Sequence, residues 1–361
     1  MPIIPFAFAL AVQVVSDSSA RVERISDGVY AIIHEDALKS WPIGGTDWPH
    51  SNTGVIVGND AVMVIDATFL PSRARADIAL IRRLTNKPVR FLVNTHWHGD
   101  HTHGNGVYRD SFPGLRIVSS RVNRDWIRIN QARFRARSEQ AAYPSRQLIA
   151  MLEATLAHGT DSAGAPLGPE LRATIQQRLA ERRVDVADMP NVKTAPPDSV
   201  FDVRLTINLG GKRVELRDHG HGNSPSDVTA FLPDQRVLYT GDLVVHPVPY
   251  AFASYPTFWV PVLRTIEAMN PAVVVPGHGP VMRDLSYVRQ VRELLEAVIT
   301  MTTPFVGSPA TADSARKVLN LDSWRLRFDP TRSPTLGEMW DASIINALIP
   351  RAFQCIQGVT C

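Results

Sequence analysis

Six consecutive residues, His96-Trp97-His98-Gly99-Asp100-His101, hold most of the chemistry this chain can do. Four of its 11 histidines fall between His96 and His103. In extended backbone, residues two apart point to the same side, so His96 and His98 can grip one ion together. Gly99 lets the chain turn, and Asp100 and His101 can then face a second position nearby. Imidazole nitrogens joined by a carboxylate oxygen suit zinc, and also iron or manganese. A lone His-x-His is a weak signal. His-x-His-x-Asp-His at the end of an expected strand is a specific one. His103 has no slot in that pattern and is expected to be structural.

The elements around the cluster read as α/β. Short strands rich in Val and Ile, "GVYAIIHE", "NTGVIVG" and "AVMVID", are separated by Gly, Asn and Asp. Ala74, Ile78, Ile81 and Leu84 then recur at helical spacing. "PVRFLVNT" is a strand whose C-terminal end delivers the histidines, a common place for chemistry in α/β layers. Residues 121–190 change character: they are rich in Arg and Ala, with helices expected near 121–139, 144–158 and 168–183. Strands resume at "VFDVRLTINL", "KRVELRDH", "DVTAFLP" and "RVLYTGDLVV". A helix over 257–269, the strand "AVVVPGH", a helix over 284–301 and two tail helices complete the chain. The order suggests two halves of similar build packed as an α/β/β/α sandwich. The expected divisions are a signal-like segment 1–22, a first half 23–120, a helical insertion 121–199, a second half 200–301 and a helical extension 302–361.

Two more segments, "VLYTGDLVV" and "VVVPGHGPV", follow the histidine cluster in order and after strands. Together the three motifs resemble the metallo-β-lactamase superfamily, over roughly residues 24–120 and 200–298. The resemblance implies a four-layer α/β/β/α sandwich and one or two zinc ions, with iron or manganese as other choices. It implies a second metal site of Asp100, His101, Asp242 and His278, and a first site begun by His96 and His98. Asp242 matches the glyoxalase II-like branch, where an aspartate bridges two ions. Asp66, closing "VMVID", is expected to brace the histidine loop. The family usually adds a third first-site histidine ten residues before the Pro that ends the next strand. Here that position is Asn223, an amide and a poorer zinc ligand. His221 is a candidate substitute, with His219 more distant.

The implied activity is hydrolysis, a metal-activated water attacking the carbonyl of a small amide or ester such as a lactam or lactone. Asp100 would orient the nucleophile and relay its proton. The resemblance to lactamases implies a lysine three residues after position 242, to hold a substrate carboxylate, and this chain has Val245 there. Glyoxalase II-like thioester hydrolysis and a non-catalytic metal-binding relative are the alternatives. A nucleic-acid hydrolase rests only on the arginine-rich insertion.

Composition fits an ordinary globular protein of 361 residues, 44% hydrophobic and 20% charged. A net charge of +3 argues against nucleic acid as the main partner and leaves a small molecule. Residues 121–183 hold 11 arginines against six acidic residues, which a solvated helical face explains most simply. The only cysteines, Cys355 and Cys361, exclude a cysteine metal framework and allow one disulfide. Residues 3–15 form an apolar run of signal-peptide length without a basic start, which points to a periplasmic or secreted protein, otherwise a cytoplasmic one. The run is too short to span a bilayer. Trp41 and Trp48 sit in a Gly- and Pro-containing loop, either as a substrate flap or packed on the core. Oligomeric state has no signal in the sequence.

Overall fold

A computed structural model describes residues 20–34, 50–137, 140, 143–161, 164–306, 312–358 and 361. The expected flap tryptophans Trp41 and Trp48, and most of the 1–22 segment, lie outside these residues.

Two sheets stack face to face, with helices on both outer surfaces. The first has seven strands in sequential order: β1 (Ala20–Ser26), β2 (Val29–His34), β3 (Thr53–Val57), β4 (Val62–Ile65), β5 (Val89–Val93), β6 (Arg116–Ser120) and β7 (Ser199–Phe201). Strands β1 to β4 pair antiparallel, and β4 to β7 pair parallel. β1 begins at Ala20, inside the signal-like segment, because residues 20–26 find partners along β2. The second sheet has five strands, β8 (Arg204–Asn208), β9 (Arg213–Asp218), β10 (Val228–Leu232), β11 (Val237–Val245) and β12 (Val273–His278), in the order β12-β11-β10-β9-β8.

Period-two alternation places the core. Met63 and Ile65 of β4 pack between the sheets against residues such as Leu216 and Val275. Their neighbours Val62 and Val64 face outward onto Ala74, Ile78 and Ile81 of helix α1 (Pro71–Leu84). In the second sheet, Val237 and Tyr239 point inward while Leu238 and Val274 meet the outer helices. Every residue of β11 is buried, as expected for a strand covered on both faces.

After the histidine loop come two short helices, α2 (Gly99–Thr102) and α3 (Asn105–Ser111). The arginine-rich stretch forms α4 (Arg121–Ala136), α5 (Tyr143–His158) and α6 (Pro169–Asp188). α5 and α6 pack on each other through Leu152, Ile175 and Leu179. The chain then returns as β7, parallel to β6, so these helices form one long crossover within the first sheet.

The other outer layer holds α7 (Pro256–Met269) and α8 (Ser286–Thr302). Where two tail helices are expected, the described residues form α9 (Ala312–Val318), α10 (Asp322–Phe328), α11 (Pro334–Trp340), a π-helical stretch over Asp341–Leu348 and α12 (Ile349–Gln357). Asp329-Pro330 and Ser333-Pro334 break the tail into these short pieces. Phe328, Trp340, Ile344 and Leu348 join the same core as α7 and α8, so the extension thickens that layer. Cys355 and Cys361 are bonded, their Cα atoms 4.8 Å apart. Among the described residues, no helix is long and apolar enough to cross a membrane.

Candidate metal centre

The loop after β5, the C-terminal half of β11 and the end of β12 meet at one place. The loop after β5 carries His96 and His98, and α2 carries Asp100 and His101. β11 presents Asp242, and β12 ends at His278, running parallel to β11. These side chains form two groups whose potential ligand atoms lie within 4.8 Å of one another: Asp100, His101, Asp242 and His278, and then His96, His98 and Asp242. Asp242 belongs to both. His101 Nε2 lies 3.1 Å from Asp242 Oδ1 and 3.6 Å from Asp100 Oδ2. His278 Nε2 lies 3.1 Å from Asp100 Oδ2 and 3.4 Å from Asp242 Oδ1. His96 Nε2 sits 2.8 Å from His98 Nδ1 and 3.6 Å from Asp242 Oδ2.

The donor set fits a divalent first-row cation. His101 Nε2, His278 Nε2 and Asp242 Oδ1 are buried without hydrogen-bond partners, and they converge on one point. Buried polar atoms are rarely left so, and a shared cation would satisfy all three at once. The surrounding backbone is shaped to the same end. A Cβ at Gly277 would lie 2.1 Å from Asp242 Oδ1, so only glycine leaves room for that carboxylate. At Gly99 the requirement is also space rather than the expected turn, because a Cβ there would strike the His103 ring at 2.4 Å.

Neighbouring groups hold these candidate ligands in place. Asp66 accepts hydrogen bonds from Thr95 N, Thr95 Oγ1 and His101 Nδ1, at 2.8, 2.8 and 2.7 Å. It does so from a left-handed backbone, φ 62°, which a non-glycine residue adopts only when its surroundings impose it. Its carboxylate sets the His101 tautomer and aims Nε2 at the other ligands. His278 Nδ1 is oriented in the same way by the carbonyl of His50, at 3.1 Å. Helix α4 clasps the loop from outside: Asn123 Nδ2 donates to the Thr95 carbonyl and Gln131 Nε2 to that of Thr102.

Burial pushes His96 and His98 toward the neutral imidazole that ligates a metal. Burial would do the same to His101, but Asp242, Asp66 and Asp100 outweigh it and hold that ring well above the ordinary value. The three carboxylates favour positive charge at this spot, which a cation also supplies. Asp100 is opposed by burial, yet His101 and His278 hold its carboxyl far below the usual range.

Other expected site residues are placed differently. His221 belongs to neither ligand group; its ring stacks on Tyr255 at 4.2 Å and meets Phe258 edge-on. His219 Nε2 is 3.0 Å from Thr229 Oγ1. Asn223 is buried, its Nδ2 donating to the Tyr250 carbonyl and its Oδ1 left without a partner. His103 packs between Phe69 and Phe134 with Nε2 3.1 Å from Asn130, and burial lowers it to about 4. Val245 is fully buried. Sequence reasoning missed Thr95, the His50 carbonyl and the α4 clasp. The spacing of Asn123, Ile127 and Gln131, one buried helical face with polar ends, was the available signal.

A family model described as the metallo-beta-lactamase superfamily matches residues 46–278. A linear primary-alkylsulfatase from a Pseudomonas species is 23% identical over 268 residues, covering 69% of this chain and 44% of the relative. The alpha subunit of a 2,4-dinitroanisole O-demethylase from a Nocardioides species is 24% identical over 271 residues, covering 73% of this chain and 64% of the relative. The chain thus spans less than two thirds of either relative's length. A solved metallo-beta-lactamase from Pontibacter korlensis aligns with a TM-score of 0.51 at 18% identity, over 77% of this chain and 99% of its own. At that identity the likeness is one of fold.

Proposed function

This chain belongs to the metallo-β-lactamase superfamily, and from that premise we propose that it is a zinc-dependent hydrolase of small esters, lactones foremost, with lactams a secondary class. One observation carries the reading: two ligand groups of buried histidines and carboxylates share Asp242. Asp100, His101, Asp242 and His278 would hold one ion. His96, His98 and Asp242 would hold the other, with Asn223 Oδ1 as its fourth donor. Bound there, zinc supplies a Lewis acid for the substrate's oxygen and a water acidic enough to ionise near neutral pH.

The chain's own residues do the rest. Asp100, kept ionised by His101 and His278, accepts a hydrogen bond from the nucleophile and passes its proton to the leaving group. Asp66 and the His50 carbonyl fix the two rings that define the tighter ligand group. Val245, buried at the position where the resemblance leads one to expect a lysine, offers no cation to anchor a substrate carboxylate. That supports an ester or lactone over a penicillin, and neither curated relative is named for a lactam. The Cys355–Cys361 bond supports action in an oxidising compartment, the periplasm or the exterior.

The shared Asp242 also favours a second reading, glyoxalase II-like hydrolysis of a thioester. Zinc-loaded protein offered 4-nitrophenyl acetate, a γ-lactone, a chromogenic cephalosporin and a glutathione thioester separates these readings. Chelator-sensitive turnover of the ester and lactone is expected, with slower cephalosporin hydrolysis. Preferred thioester turnover would favour the second reading. Inactivity toward all four by protein shown to hold zinc would leave a non-catalytic metal-binding relative.

A further inference from the structure

Two lines of rings lead outward from the ligand residues. On one side, Trp97 lies 4.6 Å from the His98 ring and 5.5 Å from Trp126 of helix α4. Trp126 is 38% exposed, and Val122 and Ile129, also exposed, stand four residues before it and three after. That spacing puts all three on one face of α4, while the face bearing Asn123, Ile127 and Gln131 grips the histidine loop. From His278 the second line starts: Tyr250 lies 5.2 Å from the His278 ring and 6.0 Å from Phe252, which is 48% exposed.

An exposed apolar stripe is costly on a surface helix without a role. This one is continuous, ring to ring, with a residue beside the centre, as is the Phe252 side. The two arginines of the first turn of α4 are engaged elsewhere, Arg121 with Asp202 and Arg124 with Asp125. On each line the side chains that step outward from the centre are aromatic, Trp97 and Trp126 on one and Tyr250 and Phe252 on the other.

We propose that these two walls select the substrate by an uncharged hydrocarbon body, an aryl group or an alkyl chain, attached to the bond that is cleaved. The α4 stripe, with Trp126 at its middle, is the main specificity surface, and Phe252 is the second. This rests on the ester-hydrolase reading and adds the substrate class. Trp126 is a positioning residue: it touches the substrate's body, whereas bond cleavage belongs to the ligand groups. Each methylene moved from water onto such a wall strengthens binding by about fourfold.

The test uses zinc-loaded wild type, Trp126→Ala and Phe252→Ala, both changes at exposed positions. The first readout is calorimetric binding of two unreactive ketones, 4-phenyl-2-butanone and acetone, which requires no turnover. The second is kcat and KM for 4-nitrophenyl acetate, hexanoate, phenylacetate and hemisuccinate. In wild type the phenyl ketone should bind at least about tenfold more tightly than acetone, and KM should fall from acetate to hexanoate and phenylacetate but not to the charged hemisuccinate. Trp126→Ala should erase most of that preference through KM, and Phe252→Ala a smaller part. Equal binding of the two ketones, or a preference that survives both substitutions, would overturn the proposal even with esters hydrolysed. Selective ketone binding lost in Trp126→Ala would uphold it even if every ester proved inert, an outcome that would instead count against the hydrolase reading.

Discussion

The two ligand groups share Asp242 and differ in almost everything else. The group with Asp100, His101 and His278 has a second carboxylate and two histidine rings oriented by Asp66 and the His50 carbonyl. The group with His96 and His98 has only the shared carboxylate. Its Thr95 contact reaches His96 alone, and the Asn223 amide oxygen, where the resemblance implies a third histidine, is buried without a partner. More negative charge and better-fixed rings mean tighter binding of a divalent cation. On the proposed reading, a strong site and a weak site would lie a few ångströms apart, linked by a single side chain.

Breaking the shared residue should have the largest effect. Asp242→Asn is expected to lose both ions and to lower kcat/KM by about three orders of magnitude or more, the scale of a lost Lewis acid. His98→Ala should lose only the weaker ion. Elemental analysis beside kinetics separates them, and equal loss in both variants would erase the proposed asymmetry. Removing the brace comes next: Asp66→Asn should weaken the tighter ion by about 10- to 100-fold, with the weaker ion less affected. A competitive chelator titration reads this. Asn223→His should strengthen the weaker ion by about tenfold and leave the tighter one alone, since imidazole is the better zinc ligand.

The smallest effect compares two buried carboxylates. Asp100 is held ionised by histidines, but burial pushes Asp227, in the turn carrying Asn223, up to about 7. Its unfolded value is about 3.9, so folding favours the protonated form. That contribution is fully present below about pH 4 and fades as pH rises through about 7. The wild-type Tm should therefore decline between pH 5 and 8 more steeply than that of Asp227→Asn. Parallel pH curves in a thermal-denaturation series would contradict this.

Much of the centre was legible because its signal is local. His96, His98, Asp100 and His101 are spaced so that one loop can present them, and Asp242 and His278 follow strands with recognisable endings. The layers were readable from alternation such as that of Met63 and Ile65 against Val62 and Val64. What escaped the sequence depends on contacts between distant segments. The brace from the His50 backbone carbonyl leaves no side-chain signature at all. The clasp by Asn123 and Gln131 required knowing which face of α4 meets the loop. His221 reads in the sequence as a candidate substitute ligand; in the structure its ring stacks on Tyr255 and belongs to neither ligand group. The tail read as an appendage because its short helices, cut by prolines, show their apolar faces only when packed on α7 and α8.

Titrating zinc into metal-free wild-type protein by calorimetry tests the unequal, linked sites most directly. Two resolved steps are expected, one ion each, with the first tighter by about two orders of magnitude, and only the second sharpened by Asn223→His. A single step, whether one ion or two of equal affinity, would contradict the account.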